Sequence, residues 1–228
     1  MSTNHHRPDA RALQPRPRVL LTGFDPFGGA TLNPSWLAVQ ALHGRRLLGH
    51  TLMAARLPTV FGDSLRTLQA LLAQHRPALV VCVGQAGGRS ALSLERIAIN
   101  VDDAPIADNA GAQPIDTPVA PGAPAAYFST LPIKAMRAAL RREGLPAEVS
   151  QTAGTFVCNH VFYGLMHALA TQPELRHTRG GFVHVPWLPE QGTPSMALDD
   201  VVRGLRVALR CALENRPQTP ELGAGATH

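Results

Sequence analysis

The chain has 228 residues, 45% of them hydrophobic and 16% charged, with a formal net charge of +5 and three cysteines. That is enough apolar residue for one sizeable core, while an odd cysteine count without a Cys-x-x-Cys pair argues against a disulfide framework or a thiolate zinc site. The first 18 residues lack an apolar signal core and no later stretch approaches the roughly 18 apolar residues of a membrane span, so a cytoplasmic protein without membrane attachment is expected. Twenty of the 21 basic residues are arginines. They are scattered as singlets and pairs, such as Arg45-Arg46 and Arg141-Arg142, with few aromatics between them, which reads as solvated helix faces and not as a nucleic-acid surface.

Residues 1–16 and 216–228 carry Pro, Gly, Ala and His without periodicity, so both are expected to be disordered tails around one domain over 17–215. Within it, Arg18 to Phe24 reads as a buried strand entering a Gly/Pro-rich loop. Asn33-Pro34-Ser35 then opens a helix through Leu42, with proline suited to the first turn. The alternation continues with strand 51–57, helix 61–74, strand 79–83, helix 134–143, strand 147–150, helix 159–170, strand 181–185 and a last helix from Pro194 to Leu213. Such a pattern predicts a single-domain α/β/α sandwich, an open twisted sheet, largely parallel or mixed, with helices on both faces. Residues 101–130 break the pattern and read as a long ordered loop. Its Asp102, Asp103, Asp108 and Asp116 lack a regular ligand spacing, so no metal is assigned.

Cys158 stands in Gly154-Thr155-Phe156-Val157-Cys158-Asn159-His160, where a turn passes into a helical pattern. Free N–H groups and the positive end of the helix dipole favour a thiolate there, and the thiolate is the nucleophilic form. The alternative is a buried small hydrophobe, the reading that suits Cys82 in a strand and Cys211 in a helix. A cysteine nucleophile needs a base and a group to orient it. Of ten histidines, His160 is turned away from Cys158 by about 200° on a helix. His184, among Phe182, Val183, Val185 and Pro186, is the candidate base, or else a buried structural histidine. Glu95 is either its orienter or the partner of a nearby arginine such as Arg96, and spacing does not choose between them. Neither glycine cluster, at 28–29 or 84–88, fits a dinucleotide or phosphate-loop motif.

These segments together resemble the pyroglutamyl peptidase type I family of cysteine peptidases. The resemblance covers about residues 17–213 and is carried by Leu21-Thr22-Gly23-Phe24-Asp25-Pro26-Phe27-Gly28-Gly29 with Asn33-Pro34-Ser35, by Glu95-Arg96-Ile97-Ala98-Ile99-Asn100, by Asp108-Asn109 with Gln113-Pro114-Ile115-Asp116, by Ala153 to Asn159, and by Gly181 to Pro186. It implies a Glu95, Cys158, His184 triad, no cofactor, frequent assembly as a homotetramer, and removal of N-terminal pyroglutamate from peptides through a thioester. It also implies a lactam pocket drawn from Phe24, Phe27, Asn33 and the Gln85 region, with Phe156 and Val157 nearby. A flat neutral lactam needs apolar walls, a donor for its carbonyl and an acceptor for its N–H, which Asn33 and backbone near Gln85 are expected to supply. The Cys158 N–H is the expected oxyanion donor. Two rivals are a silent lactam-binding homologue and a nucleoside phosphorylase, the latter having no use for a Cys158 and His184 pair.

Overall fold

The computed structural model describes residues 17–214, together with Gly223 and Gly225. Apart from those two glycines, the tails expected over 1–16 and 216–228 lie outside the described residues. In chain order the elements are β1 Arg18–Phe24, α1 Pro34–Ala41, β2 Arg46–Leu47, β3 His50–Leu57, α2 Asp63–His75, β4 Leu79–Gln85, β5 Leu92–Glu95, β6 Ile97–Ile99, β7 Ala126–Phe128, α3 Ile133–Arg142, β8 Ala147–Ser150, α4 Val157–Thr171, β9 Arg179–Val185 and α5 Leu198–Glu214.

Seven strands form one sheet in the order β2-β3-β1-β4-β9-β5-β8. The pairs β1/β3, β1/β4 and β4/β9 are parallel, whereas β5 runs antiparallel to β9 and takes β8 with it as a parallel neighbour. The sheet is therefore mixed, with β5 and β8 reversed. Strands β1 and β4 are continuous apolar runs because both their faces are covered. Side chains alternate across the sheet, so Val19, Leu21, Leu79, Val81 and Val83 pack with α1, α3 and α5, while Leu20, Val80, Cys82 and Phe182 pack with α2 and α4. Each such side chain contributes roughly 1.5–3 kcal/mol by leaving water.

That alternation assigns the polar residues to faces. Leu92 and Leu94 belong to the α3/α5 core, so Ser93 and Glu95 point toward α4. On β9, His184 shares the side of Phe182, again that of α4. Ser93 is the register partner of His184, which leaves Glu95 on the diagonal, within reach of a long side chain.

Two helix starts differ from expectation, and one stretch left without an element forms strands. Residues 92–99 form two strands, because the alternation of Leu92, Leu94, Ile97 and Ile99 changes phase at Arg96. There the chain leaves the main sheet, and β6 pairs antiparallel with β7. The last helix starts at Leu198 and not at Pro194, since residues 194–197 are occupied by a bridge in which the Met196 N–H donates to the Trp187 carbonyl at 2.8 Å. Helix α4 starts at Val157, so Cys158 is its second residue.

Candidate active site

The Gly154 turn before α4 has φ +77°, a left-handed conformation that suits glycine. It leads Phe156 into the N-cap position of α4, which has no capping side chain. The first intrahelical bond is donated by the His160 N–H to the Phe156 carbonyl at 3.1 Å, so the N–H groups of Val157, Cys158 and Asn159 belong to the unpaired first turn. Asn159 pins this turn to β6: its amide donates to the Ile99 and Val101 carbonyls, each at 2.9 Å, and accepts from the Ile99 N–H at 3.1 Å.

Cys158 is partly buried, and its sulfur rests on bare backbone. A Cβ added to Gly84 would lie 2.7 Å from Cys158 Sγ and 2.8 Å from Phe182 Cζ. Gly84 is in turn the register partner of His184. His184 Nδ1 lies 2.8 Å from Glu95 Oε1, and both residues are buried. Arg89 donates to the same oxygen at 2.8 Å, and its other contacts, the Ser150 hydroxyl at 3.4 Å and the Thr152 carbonyl at 3.2 Å, tie it to the strand and turn that precede α4. Glu95 thus faces His184 and Arg89 instead of the neighbouring Arg96. With a carboxylate oxygen accepting, Nδ1 of His184 carries the proton and Nε2 keeps its lone pair.

The helix end favours a thiolate at Cys158, and burial acts against it. Burial first, and then the Glu95 carboxylate, push Cys158 up to about 12, with Arg89 acting in the opposite direction. The charged sulfur would lose its water inside the fold, and one end of a helix does not replace that hydration. Cys82, fully buried in β4, is also raised to about 12 by burial.

The residues expected to line a lactam pocket take varied places. Phe27 and Phe156 are half-buried and pack at 5.9 Å, and Phe61 meets Phe156 edge-on at 5.4 Å. Phe24 is buried against Phe182 at 6.3 Å, and Val157 is buried in the α2/α4 core. Gln85 is half-buried and accepts from Gln191 at 3.1 Å. Asn33 has a structural role beside the one expected of it. It is the N-cap of α1: its oxygen accepts from the Ser35 N–H at 3.0 Å and hydroxyl at 2.7 Å, and its nitrogen donates to the Asp25 carbonyl at 3.1 Å. Its oxygen and one of its two amide N–H groups shape the loop.

Sequence reasoning missed Arg89, Asn159, Phe61 and the use of the loop aspartates. Asp108 accepts from the N–H groups of Phe61, Ala110 and Ala112 at 2.8, 2.8 and 2.9 Å, folding the loop. Asp102 lies 2.7 Å from His160. The groove of about 590 Å³ lined by Arg142, Arg203, Arg206 and Arg210 of α3 and α5 contains none of these residues.

A cysteine over a strand end, with a histidine and carboxylate on the adjoining strands, defines a cysteine-dependent acyl-transfer class of α/β protein. The chain belongs to the pyroglutamyl peptidase family, whose model matches residues 17–215. It is 58% identical over 212 residues to pyrrolidone-carboxylate peptidase 1 of Ralstonia nicotianae, covering 91% of this chain and 98% of that protein. It is 55% identical to the pyrrolidone-carboxylate peptidase of Klebsiella pneumoniae, covering 92% and 99%. Among solved structures, pyroglutamyl peptidase I from Bacillus amyloliquefaciens superposes with a TM-score of 0.88 at 46% identity, covering 91% of this chain and all of that one. A mutant pyrrolidone carboxyl peptidase from Pyrococcus furiosus gives 0.84 at 41%, covering 86% and 98%.

Proposed function

We infer that this chain hydrolyses the amide bond that follows an N-terminal pyroglutamyl residue, with Cys158 as nucleophile, His184 as base and Glu95 as its orienter. The observation that carries this reading is the His184 to Glu95 bond beside a sulfur seated on Gly84. His184 Nε2 takes the thiol proton and Sγ attacks the pyroglutamyl carbonyl. The oxyanion forms against the first-turn N–H groups of α4, Cys158 among them. His184 then gives the proton to the departing amine, leaving a thioester. Water, activated by the same nitrogen, hydrolyses that thioester, releasing pyroglutamate and restoring the thiol. No metal or cofactor enters these steps.

Phe27, Phe156 and Phe61 form the apolar wall for the lactam ring, with Phe24 behind them, Val157 supporting Phe156 and polar contacts coming from backbone near Gln85. Asn33 serves by holding the loop that carries Phe27. An ammonium would have to be desolvated against these rings, so N-terminal glutamate and proline are rejected. Among the described residues no helix is long and apolar enough to cross a membrane; the site of action in this reading is the cytoplasm. The assembly is a homo-oligomer, a tetramer by family resemblance, and the exposed Ile115 and Phe128 support an apolar contact that light scattering can read.

The test is fluorescence release from a pyroglutamyl coumarin amide, with and without a thiol alkylator, beside glutamyl and prolyl amides. Release confined to the pyroglutamyl amide and abolished by alkylation is expected. Turnover insensitive to alkylation, or equal turnover of the prolyl amide, would overturn the reading. A silent binding homologue would give no release, and the named peptidase relatives do not favour it.

A further inference from the structure

His160 follows Cys158 by two residues yet faces away from it, into a second buried carboxylate and imidazole pair. Its Nδ1 lies 2.7 Å from Asp102 Oδ2, and both residues are at least nine-tenths buried, His160 exposed by 6% and Asp102 by 5%. On its other side the Gly62 N–H donates to Nε2 at 3.1 Å. A backbone N–H can only donate, so Nε2 holds the lone pair and Nδ1 carries the proton that Asp102 accepts. Each ring nitrogen therefore has one partner in one fixed tautomer.

These two bonds join three segments of chain. His160 belongs to the nucleophile helix, Gly62 to the turn that starts α2, and Asp102 to the long loop. There the Asp102 N–H donates to the Thr117 carbonyl at 2.7 Å, and the next residue, Asp103, bonds through its N–H to the Thr155 carbonyl at 3.0 Å. All three segments meet behind the aromatic wall. Phe61, adjacent to Gly62, lies edge-on to the His160 ring at 5.3 Å and edge-on to Phe156 at 5.4 Å, and Phe156 reaches Phe27 at 5.9 Å. A buried carboxylate and imidazole pair is a poor source of net stability, and what it adds over apolar packing is direction. Here that direction fixes where Phe61 and Phe156 stand relative to Cys158.

We propose that Asp102 and His160 are a positioning pair that sets the lactam-binding wall and governs substrate binding, while the Glu95 and His184 pair governs the chemical step. The inference rests on the pyroglutamyl peptidase reading above. Neither member touches the reacting atoms. Loss of the Asp102 acceptor frees the His160 ring and lets Phe61 and Phe156 drift apart from the substrate ring, while Sγ stays on Gly84.

The experiment is steady-state kinetics on the pyroglutamyl coumarin amide for wild type, Asp102→Ala, Asp102→Asn and His160→Gln, with a thermal melt of each. Asp102→Ala should raise KM by about tenfold or more with kcat within about threefold, the signature of lost binding common to ground and transition states. Asp102→Asn keeps an oxygen acceptor for Nδ1–H and should restore KM. His160→Gln keeps an acceptor near Gly62, loses Asp102 and should raise KM as Asp102→Ala does. It stands in should the alanine variant fail to fold. A folded Asp102→Ala or His160→Gln with wild-type KM, a loss confined to kcat, or Asp102→Asn behaving like Asp102→Ala would overturn the proposal while leaving the peptidase reading intact. A wild-type protein without turnover would overturn both.

Discussion

Gly84→Ala isolates the seat of the nucleophile. The added methyl would lie 2.7 Å from Cys158 Sγ, 2.8 Å from Phe182 Cζ and 2.9 Å from Phe182 Cε1. Unstrained contacts of this kind lie near 3.5–4.0 Å, so the sulfur, the ring or both must retreat by about 1 Å. Phe182 is fully buried and packed between Phe24 and Phe162, which leaves the partly buried sulfur as the group that moves. A misplacement of that size costs on the order of 10²-fold in turnover, against a stability loss of about 1–3 kcal/mol for an overpacked core. The assay is kcat on the pyroglutamyl coumarin amide with a urea melt of the same sample. Gly204→Ala is the control: its methyl would meet Leu92 Cδ1 at 2.4 Å on the opposite face of the sheet, so it should change stability and leave kcat near wild type. A folded Gly84→Ala protein with wild-type kcat would refute the placement of the reactive sulfur on β4.

The charge on the thiol gives a second prediction. Since the Glu95 carboxylate raises Cys158 and Arg89 lowers it, Glu95→Gln should move the pH profile of iodoacetamide alkylation down and Arg89→Met should move it up, with Arg89→Lys between Arg89→Met and wild type. Shifts of the reverse sign would remove both groups from the site. For catalysis, Glu95→Gln should cost less turnover than His184→Ala, because the imidazole remains and only its tautomer and orientation suffer. Equal, negligible effects would leave Glu95 a structural partner of Arg89. Cys82 gives a linkage prediction. Its thiol is raised from 9.0 to about 12 by burial, so the folded state holds a proton that the unfolded chain releases. The associated stability is present below pH 9 and declines by about 1.4 kcal/mol per unit between pH 9 and 12. Cys82→Ala should flatten that share of the alkaline slope in urea melts, and an unchanged slope would contradict the assignment.

Strands β1, β4 and β9 were legible because each is an apolar run bounded by turn residues, and α1 because Asn33 and Pro34 announce its start. The pair β5 and β6 was not, since four-residue and three-residue strands out of phase at Arg96 give no periodicity to read. The candidate site was legible in its parts. Helical rotation removed His160 from the neighbourhood of Cys158, in keeping with its direction in the fold. The choice for Glu95 between His184 and an arginine was not legible, as it depends on β5 lying antiparallel to β9 across 89 residues of chain. The burial that raises the Cys158 thiol was hidden for a related reason, because local sequence displays the helix end and conceals what packs over it. The capping role of Asn33 was legible from Asn33-Pro34-Ser35, but the bond from one of its N–H groups back to the Asp25 carbonyl depends on the fold of the loop.

The central claim is a thioester on Cys158, and rapid acid quench of the enzyme during turnover of the pyroglutamyl coumarin amide, followed by peptide mass spectrometry, reads it directly. A pyroglutamyl group on the peptide containing Cys158, absent from Cys158→Ser along with all coumarin release, is the predicted result. An adduct on another residue, or wild-type turnover by Cys158→Ser, would contradict the account.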